Sequence, residues 1–187
     1  MSAHDTTFID TLYRDQKELV IFLRQQGQLS FSQNVEEFLS KTLLLSSASY
    51  FESRITNAVS DYAARVSNAD EALVSLVRIK AIERQYHGYF EWNERKRGVT
   101  RFFGMFGSAL KDLVKQELKD IELSQAAEAF LELGNIRNLL VHENFASYPL
   151  EKTADEIYHL YGAALRFVLY VEYKLNPMPT ATPPGEL

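Results

Sequence analysis

Apolar residues recur at three- and four-residue spacing along most of the chain, which is the pattern of amphipathic helices. Residues 5–26 form the first predicted helix, which ends at Gly27. A second, longer helix is expected to begin at a cap, Ser32 or Asn34, and to run to about Val66. Its apolar face is formed by residues at helical pitch: Leu44, Ala48, Phe51, Ile55, Val59 and Tyr62.

The middle of the chain predicts a third helix followed by an insertion. Residues 68–71 read Asn-Ala-Asp-Glu, a capping box, and the apolar positions after them predict a helix that reaches Tyr89. Residues 93–108 contain three glycines and break the helical spacing. We interpret them as an ordered insertion packed over the other helices.

Three more helices are expected after this insertion. Ser108 is predicted to cap a short helix, and Ser124 to begin the next one. Thr153 lies in a second capping box, which opens the last helix of the domain. Residues 176–187 include four prolines and are expected to form a disordered tail, so that residues 1–175 make up one helical domain.

The composition supports this helical interpretation. The first proline in the chain is Pro149, and only eight of the 187 residues are glycines, so long helices meet few breakers. A chain of this length, 46% hydrophobic, suits one core rather than two. The predicted fold class is therefore all-α, an antiparallel helical bundle of five to six helices.

The composition also excludes several classes of site and partner. The chain has no cysteine and therefore neither disulfides nor thiolate metal sites. No histidine pair has metal-site spacing and no Gly-rich phosphate loop is present, so we expect no metal and no cofactor. The net charge of -5 counts against a general nucleic-acid coat, although a local basic site remains compatible with it. Without a signal peptide or a long apolar segment, a cytoplasmic protein with no membrane partner is expected.

One stretch, GNIRNLLVHENF, combines apolar residues with groups suited to chemistry. On a helix, Asn138 and His142 lie together on one side, because they are four residues apart. Arg137 lies roughly 140° around the helix from His142. Both can serve one site only if the helix ends near His142, or if a second copy of the helix supplies the other half. The predicted core-facing residues lie opposite Asn138 and His142: Leu133, Ile136, Leu139 and Leu140.

These residue types suit metal-free cleavage of RNA by its own 2′-hydroxyl. His142 can serve as general acid or base near neutral pH. Arg137 can hold a phosphate as that phosphate gains charge in the transition state. Asn138 can orient the imidazole or bind a phosphate oxygen. The same pattern also arises in an ordinary amphipathic helix, and spacing alone does not separate the two interpretations.

The motif resembles the signature of the HEPN superfamily, in which an Arg, usually followed by a polar residue, precedes a His late in an all-helical domain. Arg137, Asn138 and His142 match that signature. Residues 43–55, LLLSSASYFESRI, resemble the early long helix of the family, whose Glu corresponds to Glu52 here. The resemblance covers most of the chain and is nearest to the RiboL-PSP and MAE_28990-like branches.

This resemblance implies a metal-independent endoribonuclease that forms a homodimer, with two Arg/His motifs facing one cleft. It also implies that Arg137, Asn138 and His142 are the catalytic residues, with Glu52 a candidate ion-pair partner of Arg137. Family members commonly act as toxins of toxin–antitoxin pairs or in defence against phage, and cleave RNA such as tRNA. A cognate antitoxin protein is therefore an expected partner.

Two observations keep other interpretations open. In the branch paired with nucleotidyltransferase antitoxins, a Tyr follows two positions after the His, whereas this chain has Asn144 there, so inhibition through that Tyr is not expected. Some HEPN domains are inactive and serve as modules for dimerisation and for binding a partner or a nucleotide. A non-catalytic module of that kind is the alternative function.

The insertion and a second histidine provide the remaining candidates. We interpret the basic residues of the insertion as an edge that contacts RNA. The neighbouring phenylalanines, Phe102 and Phe103, are expected to be buried. His87 lies among aromatic residues and is interpreted as structural. The basic residues are Arg95, Lys96, Arg97 and Arg101.

Overall fold

The computed structural model describes residues 6–94, 97–143, 145 and 147–177, and all regular structure in these ranges is helical. The all-α fold class is confirmed, with eight α-helices in the described ranges. One π-helical turn, Arg78–Ile82, continues α3. The α-helices are α1 (Phe8–Gln25), α2 (Leu29–Val66), α3 (Glu71–Val77), α4 (Tyr86–Tyr89), α5 (Arg97–Gly104), α6 (Ser108–Glu117), α7 (Ile121–His142) and α8 (Ala154–Leu175).

Helices α2, α7 and α8 enclose the core, and α1 packs against α2 and, through the stacked rings of Tyr13 and Tyr158, against α8. The rings of Tyr50 and Tyr161 meet near one end of the α2–α8 contact, and Asn176 donates to the Ala58 carbonyl at 2.8 Å near the other. Residue numbers in α2 and α8 therefore rise together, so these two helices run in the same direction. Aromatic rings fill the centre: Phe51, Phe130, Tyr161 and Phe167 are each at most 1% exposed.

The predicted third helix is divided into several pieces. Arg84 has φ 62°, in the left-handed region that ends a helix, and the chain reverses there before α4. This reversal buries Tyr86 and Tyr89, whereas the side chains of α3 remain largely exposed, as Leu76 does at 55%. One straight helix cannot bury the tyrosines of α4 and also leave the side chains of α3 exposed. The prediction of a single third helix was therefore wrong.

The predicted insertion is ordered but contains a helix, α5, which the sequence interpretation did not include. Its Phe102 and Phe103 are 0% exposed, as predicted. Gly98 allows this segment to close on the preceding loop, because a β-carbon at position 98 would lie 2.3 Å from the Glu91 carbonyl oxygen. The Glu91 amide donates to the Gly98 carbonyl at 3.2 Å and fixes the same approach.

The helix starts agree with the sequence prediction at one cap and differ at others. Thr153 and Glu156 form the predicted capping box of α8. Asp120, not Ser124, caps α7, and its side chain accepts from the Leu123 amide at 2.8 Å. A carboxylate there also interacts favourably with the positive end of the helix, so it is the stronger cap. Three predicted caps are residues within helices: Ser32, Asn34 and Ser108.

The connection after α7 packs back onto α2. The Phe145 ring lies 6.0 Å from the Phe38 ring, and the Lys41 ammonium lies 5.7 Å from the Phe145 centroid. Lys41 is 3% exposed and pairs with Glu37 at 2.9 Å. No helix in the described ranges is long and apolar enough to cross a bilayer.

Candidate active site

The buried stripe of α7 leads directly to Arg137. Phe130 and Leu133 are each 1% exposed, and Gly134 is buried beside them. Arg137 follows Leu133 by four residues and Gly134 by three, so it extends the same stripe and is half-buried. Leu139, which was predicted to face the core, is 49% exposed instead. It lies on the side of α7 that no other described helix covers.

Arg137 lines a small cavity enclosed by α2, α4 and α7. The wall from α2 includes the half-buried carboxylate of Glu52. Two other polar side chains that could take part in a reaction also line the cavity: His87 from α4 and Asn138 from α7. The complete lining is Ala48, Phe51, Glu52, Tyr86, His87, Trp92, Phe130, Leu133, Gly134, Arg137 and Asn138.

The Arg137 guanidinium makes two side-chain contacts in this cavity. Its Nη1 lies 3.0 Å from Nε2 of His87 and 3.2 Å from Oδ1 of Asn138. A guanidinium only donates hydrogen bonds, so Nε2 of His87 accepts and the ring is neutral with its proton on Nδ1. Asn138 was predicted to bind the imidazole of His142 or a phosphate. In the structure its oxygen holds Arg137.

His87 lines this candidate site, although the sequence interpretation took it as structural. Partial withdrawal from water and the Arg137 charge lower its pKa, and His142 lowers it further, while Glu52 acts in the opposite sense. His142 is therefore close enough to influence His87 electrostatically. This environment disfavours the protonated imidazole, in agreement with the Arg137 contact in which Nε2 is the acceptor.

Trp92 explains why His87 is held in this position. The indole Nε1 donates to the His87 carbonyl at 3.0 Å, and the indole ring packs onto Gly134 of α7. A glycine inside a long apolar helix signals such a close approach, because only glycine leaves the space. That signal, together with the aromatic residues around His87, was present in the sequence.

Glu52 lies in the same cavity without the expected ion pair. Among the residues that the structure describes, no carboxylate lies within 4.0 Å of the Arg137 guanidinium. Glu52 is near enough to raise the pKa of Tyr86 further, although burial of the tyrosine is the larger cause. Its negative charge therefore acts across the cavity rather than through a direct contact.

His142 is the last residue of α7, and Glu143 after it is extended, with φ −95° and ψ 173°. The helix thus ends at the motif. A helix end near His142 was one of the two arrangements that would let Arg137 and His142 serve one site. The His142 side chain is exposed. Asn144, at the position where one branch of the family has a Tyr, lies outside the described residues.

The predicted basic edge is described in part. Arg95 and Lys96 lie outside the described residues, and Arg101 forms an exposed ion pair with Glu91 at 3.5 Å. Arg97 is exposed and lines a surface groove between α5 and α6. The same groove contains three lysines of the α6 region: Lys111, Lys115 and Lys119. The buried Phe102 and Phe103 cannot stack on bases.

Comparison with known proteins gives one result for this chain. Searches of curated proteins and of solved structures found no match. A family model described as RiboL-PSP-HEPN matches residues 10–176, which include the whole of the cavity and the end of α7. The chain therefore belongs to the RiboL-PSP-HEPN family.

Proposed function

We propose that this protein is a metal-independent endoribonuclease that cleaves RNA through attack of the 2′-hydroxyl. The observation that carries the proposal is the position of Arg137, half-buried in a cavity and five residues before the exposed His142 at the end of the same helix. A guanidinium held there by Asn138 is preorganised to bind a phosphate. An imidazole at the end of the same helix can transfer protons at that phosphate.

The chemistry follows from these groups. The 2′-oxygen attacks phosphorus as its proton leaves, and the bond to the 5′-oxygen breaks as that oxygen gains a proton. The products are a 2′,3′-cyclic phosphate and a 5′-hydroxyl. Arg137 compensates the charge of the phosphorane, where preorganised donors have their largest effect. His142 is the general acid/base, and Glu52 orients the cationic groups across the cavity.

RNA binding is assigned to the basic groove. Arg97 lies in this groove with lysines of the α6 region, and the loop that precedes Arg97 also contains Trp92 of the cavity wall. Cations at this place can hold the backbone of a single strand beside the site. We extend the proposal to the neighbouring Arg95, Lys96 and Arg101.

A homodimer is part of the proposal. The last turn of α7 carries Leu139 and Val141, which are 49% and 45% exposed next to His142. Phe38 of α2 is 62% exposed beside the same connection. Exposed apolar residues around a site indicate a contact surface, and a second copy there brings two Arg/His motifs to one cleft. We propose a toxin or phage-defence role, with an antitoxin protein as partner.

The test is cleavage of total RNA and of tRNA by purified protein in EDTA. Wild type is expected to produce 5′-hydroxyl ends, and Arg137→Ala and His142→Ala to lose at least about 100-fold in rate. His159→Ala, an exposed histidine of α8, is the matched control. Expression of wild type should arrest growth, and expression of the two alanine variants should not.

Two outcomes would contradict the proposal. Equal cleavage by wild type and both alanine variants would remove Arg137 and His142 from the reaction. No cleavage by wild type, together with a stable dimer in light scattering, would favour the non-catalytic binding module.

A further inference from the structure

We propose that His87 is the proton acceptor of this site, so that one chain supplies both imidazoles of the cleavage reaction. His87 takes the proton of the 2′-hydroxyl, and His142 donates a proton to the leaving 5′-oxygen. This assignment rests on the proposed function. It makes His87 the general base and His142 the general acid of the same reaction.

The geometry around Arg137 carries the assignment. His87 Nε2 accepts from Arg137 Nη1 at 3.0 Å, so the lone pair of this nitrogen points to the group that is to bind phosphate. When a phosphate takes the guanidinium proton donors, Nε2 is released. The 2′-oxygen attached to the neighbouring ribose then lies next to a free proton acceptor. Substrate binding in this way exposes the base.

The position of His87 is fixed while its ring stays accessible. The Trp92 indole holds the His87 carbonyl at 3.0 Å, and the Tyr86 ring lies edge-on at 5.8 Å from the imidazole. The His87 side chain itself is exposed, so RNA can reach it from solvent. A histidine serving only the core has no such access.

The charges around His87 favour the neutral form that a base requires. Arg137 and His142 of α7 face it and disfavour a further positive charge. Glu52 of α2 is the opposing carboxylate, and its effect is smaller than that of Arg137. Tyr86 remains a neutral phenol at ordinary pH because burial raises its pKa. These charges act in the same direction as the Arg137 contact, in which His87 Nε2 is the acceptor.

The proton balance closes over one cleavage. The P–O2′ bond forms and its proton moves to Nε2 of His87, while the P–O5′ bond breaks and O5′ receives the proton of His142. After product release, His87 gives its proton to water and His142 regains one. No other reagent is consumed.

The experiment compares His87→Gln with wild type over a range of pH. The glutamine oxygen can still accept from Arg137 but cannot carry a proton, so it separates catalysis from positioning. We expect a loss of about 100-fold or more in the rate constant with RNA affinity preserved. The acid limb of the wild-type rate profile should disappear in the variant. His159→Gln is the matched control.

A second substrate assigns the two histidines to their steps. RNA with sulfur in place of the leaving 5′-oxygen needs no proton to depart, so it should restore cleavage by His142→Ala but not by His87→Gln. Added imidazole should partly restore cleavage by His87→Ala, since the ring site is exposed. Thermal melting of each variant shows that the fold is intact.

Each adverse result has its own meaning. Wild-type rate and pH profile in His87→Gln, with His142→Ala inactive, would overturn the role of His87 and leave the ribonuclease proposal standing. A slow His87→Gln that keeps the acid limb would make His87 only a positioning residue for Arg137, which also overturns it. Wild-type protein that cleaves no RNA would overturn both proposals.

Discussion

Gly134 of α7 lies directly against Trp92: a β-carbon at position 134 would be 2.0 Å from Cζ3 of the indole. This contact lets the loop after α4 rest on α7, and through the Trp92–His87 hydrogen bond it positions the imidazole beside Arg137. Packing of one glycine against one indole therefore determines the geometry of the site.

Gly134→Ala is predicted to displace Trp92, because neither the helix backbone nor the half-buried indole packed on it can accommodate a β-carbon 2.0 Å from Cζ3 without loss of packing. We expect a decrease of about 1–3 kcal/mol in the free energy of unfolding, from the usual cost of overpacking. RNA cleavage should fall as well, since His87 moves with Trp92. Urea unfolding and the cleavage assay measure the two effects.

Gly162→Ala is the control for this substitution. Beyond its neighbours and the backbone of its own helix, no described atom lies within 4 Å of the β-carbon position at Gly162, which is in α8. Alanine should raise stability there by about 0.5–1 kcal/mol through its better helix propensity. Equal effects at the two glycines would contradict the role of the indole contact.

The α7 cap provides a second prediction. Asp120→Ala should lower the free energy of unfolding by about 0.5–2 kcal/mol, because the Leu123 amide loses its acceptor. Ser124→Ala, at the position predicted from sequence, should cost less than Asp120→Ala, because Ser124 is a buried residue inside the helix, where alanine has the higher helix propensity. Chemical denaturation of both variants decides between the two positions. A larger loss in Ser124→Ala would refute the Asp120 cap.

The ion pair between α2 and α8 provides a third prediction. Arg54 donates to both Glu172 oxygens, at 2.6 Å and 2.5 Å, and both side chains are about three-quarters buried. Glu172→Gln should cost about 1–2 kcal/mol, below the upper range for charged hydrogen bonds because water still reaches the pair. Asp15→Asn, in an exposed pair with Arg14, is the control, and its effect should be near zero.

The contact between α1 and the start of α8 makes stability depend on pH. Hydrogen bonds from Lys17 and Tyr13 lower the pKa of Asp155 below its ordinary value of 3.8. A carboxyl whose pKa is lowered by folding contributes stability above its unfolded pKa, and this stability is lost as the pH falls through the folded value. Unfolding free energy should therefore decline below about pH 4 to 5.

Urea unfolding between pH 2 and pH 6 tests this dependence. Asp155→Asn should flatten the decline, whereas Asp61→Asn is the matched loss of one exposed carboxylate. An unchanged slope in Asp155→Asn would mean that the α1–α8 contact is not the source.

The basic groove predicts how RNA affinity depends on salt. Replacement of Arg97 by Gln should weaken RNA binding about equally for different sequences and reduce the slope of log affinity against log salt by roughly 0.7. Lys80→Gln, an exposed cation on the π-helical turn, is the control. Fluorescence anisotropy at several salt concentrations measures both. An unchanged slope for Arg97→Gln would remove this groove from the RNA path.

Periodicity in the sequence was sufficient for the long elements. The α8 helix begins at the predicted Thr153 capping box, and α2 ends at Val66 as predicted. A long amphipathic helix carries its own signal because many apolar positions repeat at one pitch. The family was also recognisable, since Arg137, Asn138 and His142 are close in sequence.

The features that the sequence did not predict depend on tertiary contacts. His87 lies 50 residues before Arg137 in the sequence. The local sequence around His87 does not predict that the chain turns at Arg84 and brings the imidazole to Arg137. Leu139 was assigned to the core because helical pitch groups it with Leu140, but it faces the uncovered side of α7 and is 49% exposed, whereas Leu140 is 0% exposed. Local pattern cannot show which side of a helix its neighbours cover.

The division of the predicted third helix has a further consequence, for how activity is lost. His87 belongs to the four-residue α4, while Arg137 and Glu52 belong to long helices of the core. Short segments between turns open locally at a lower free-energy cost than the core of a domain. Mild denaturant should then abolish the proposed RNA cleavage before the bundle unfolds.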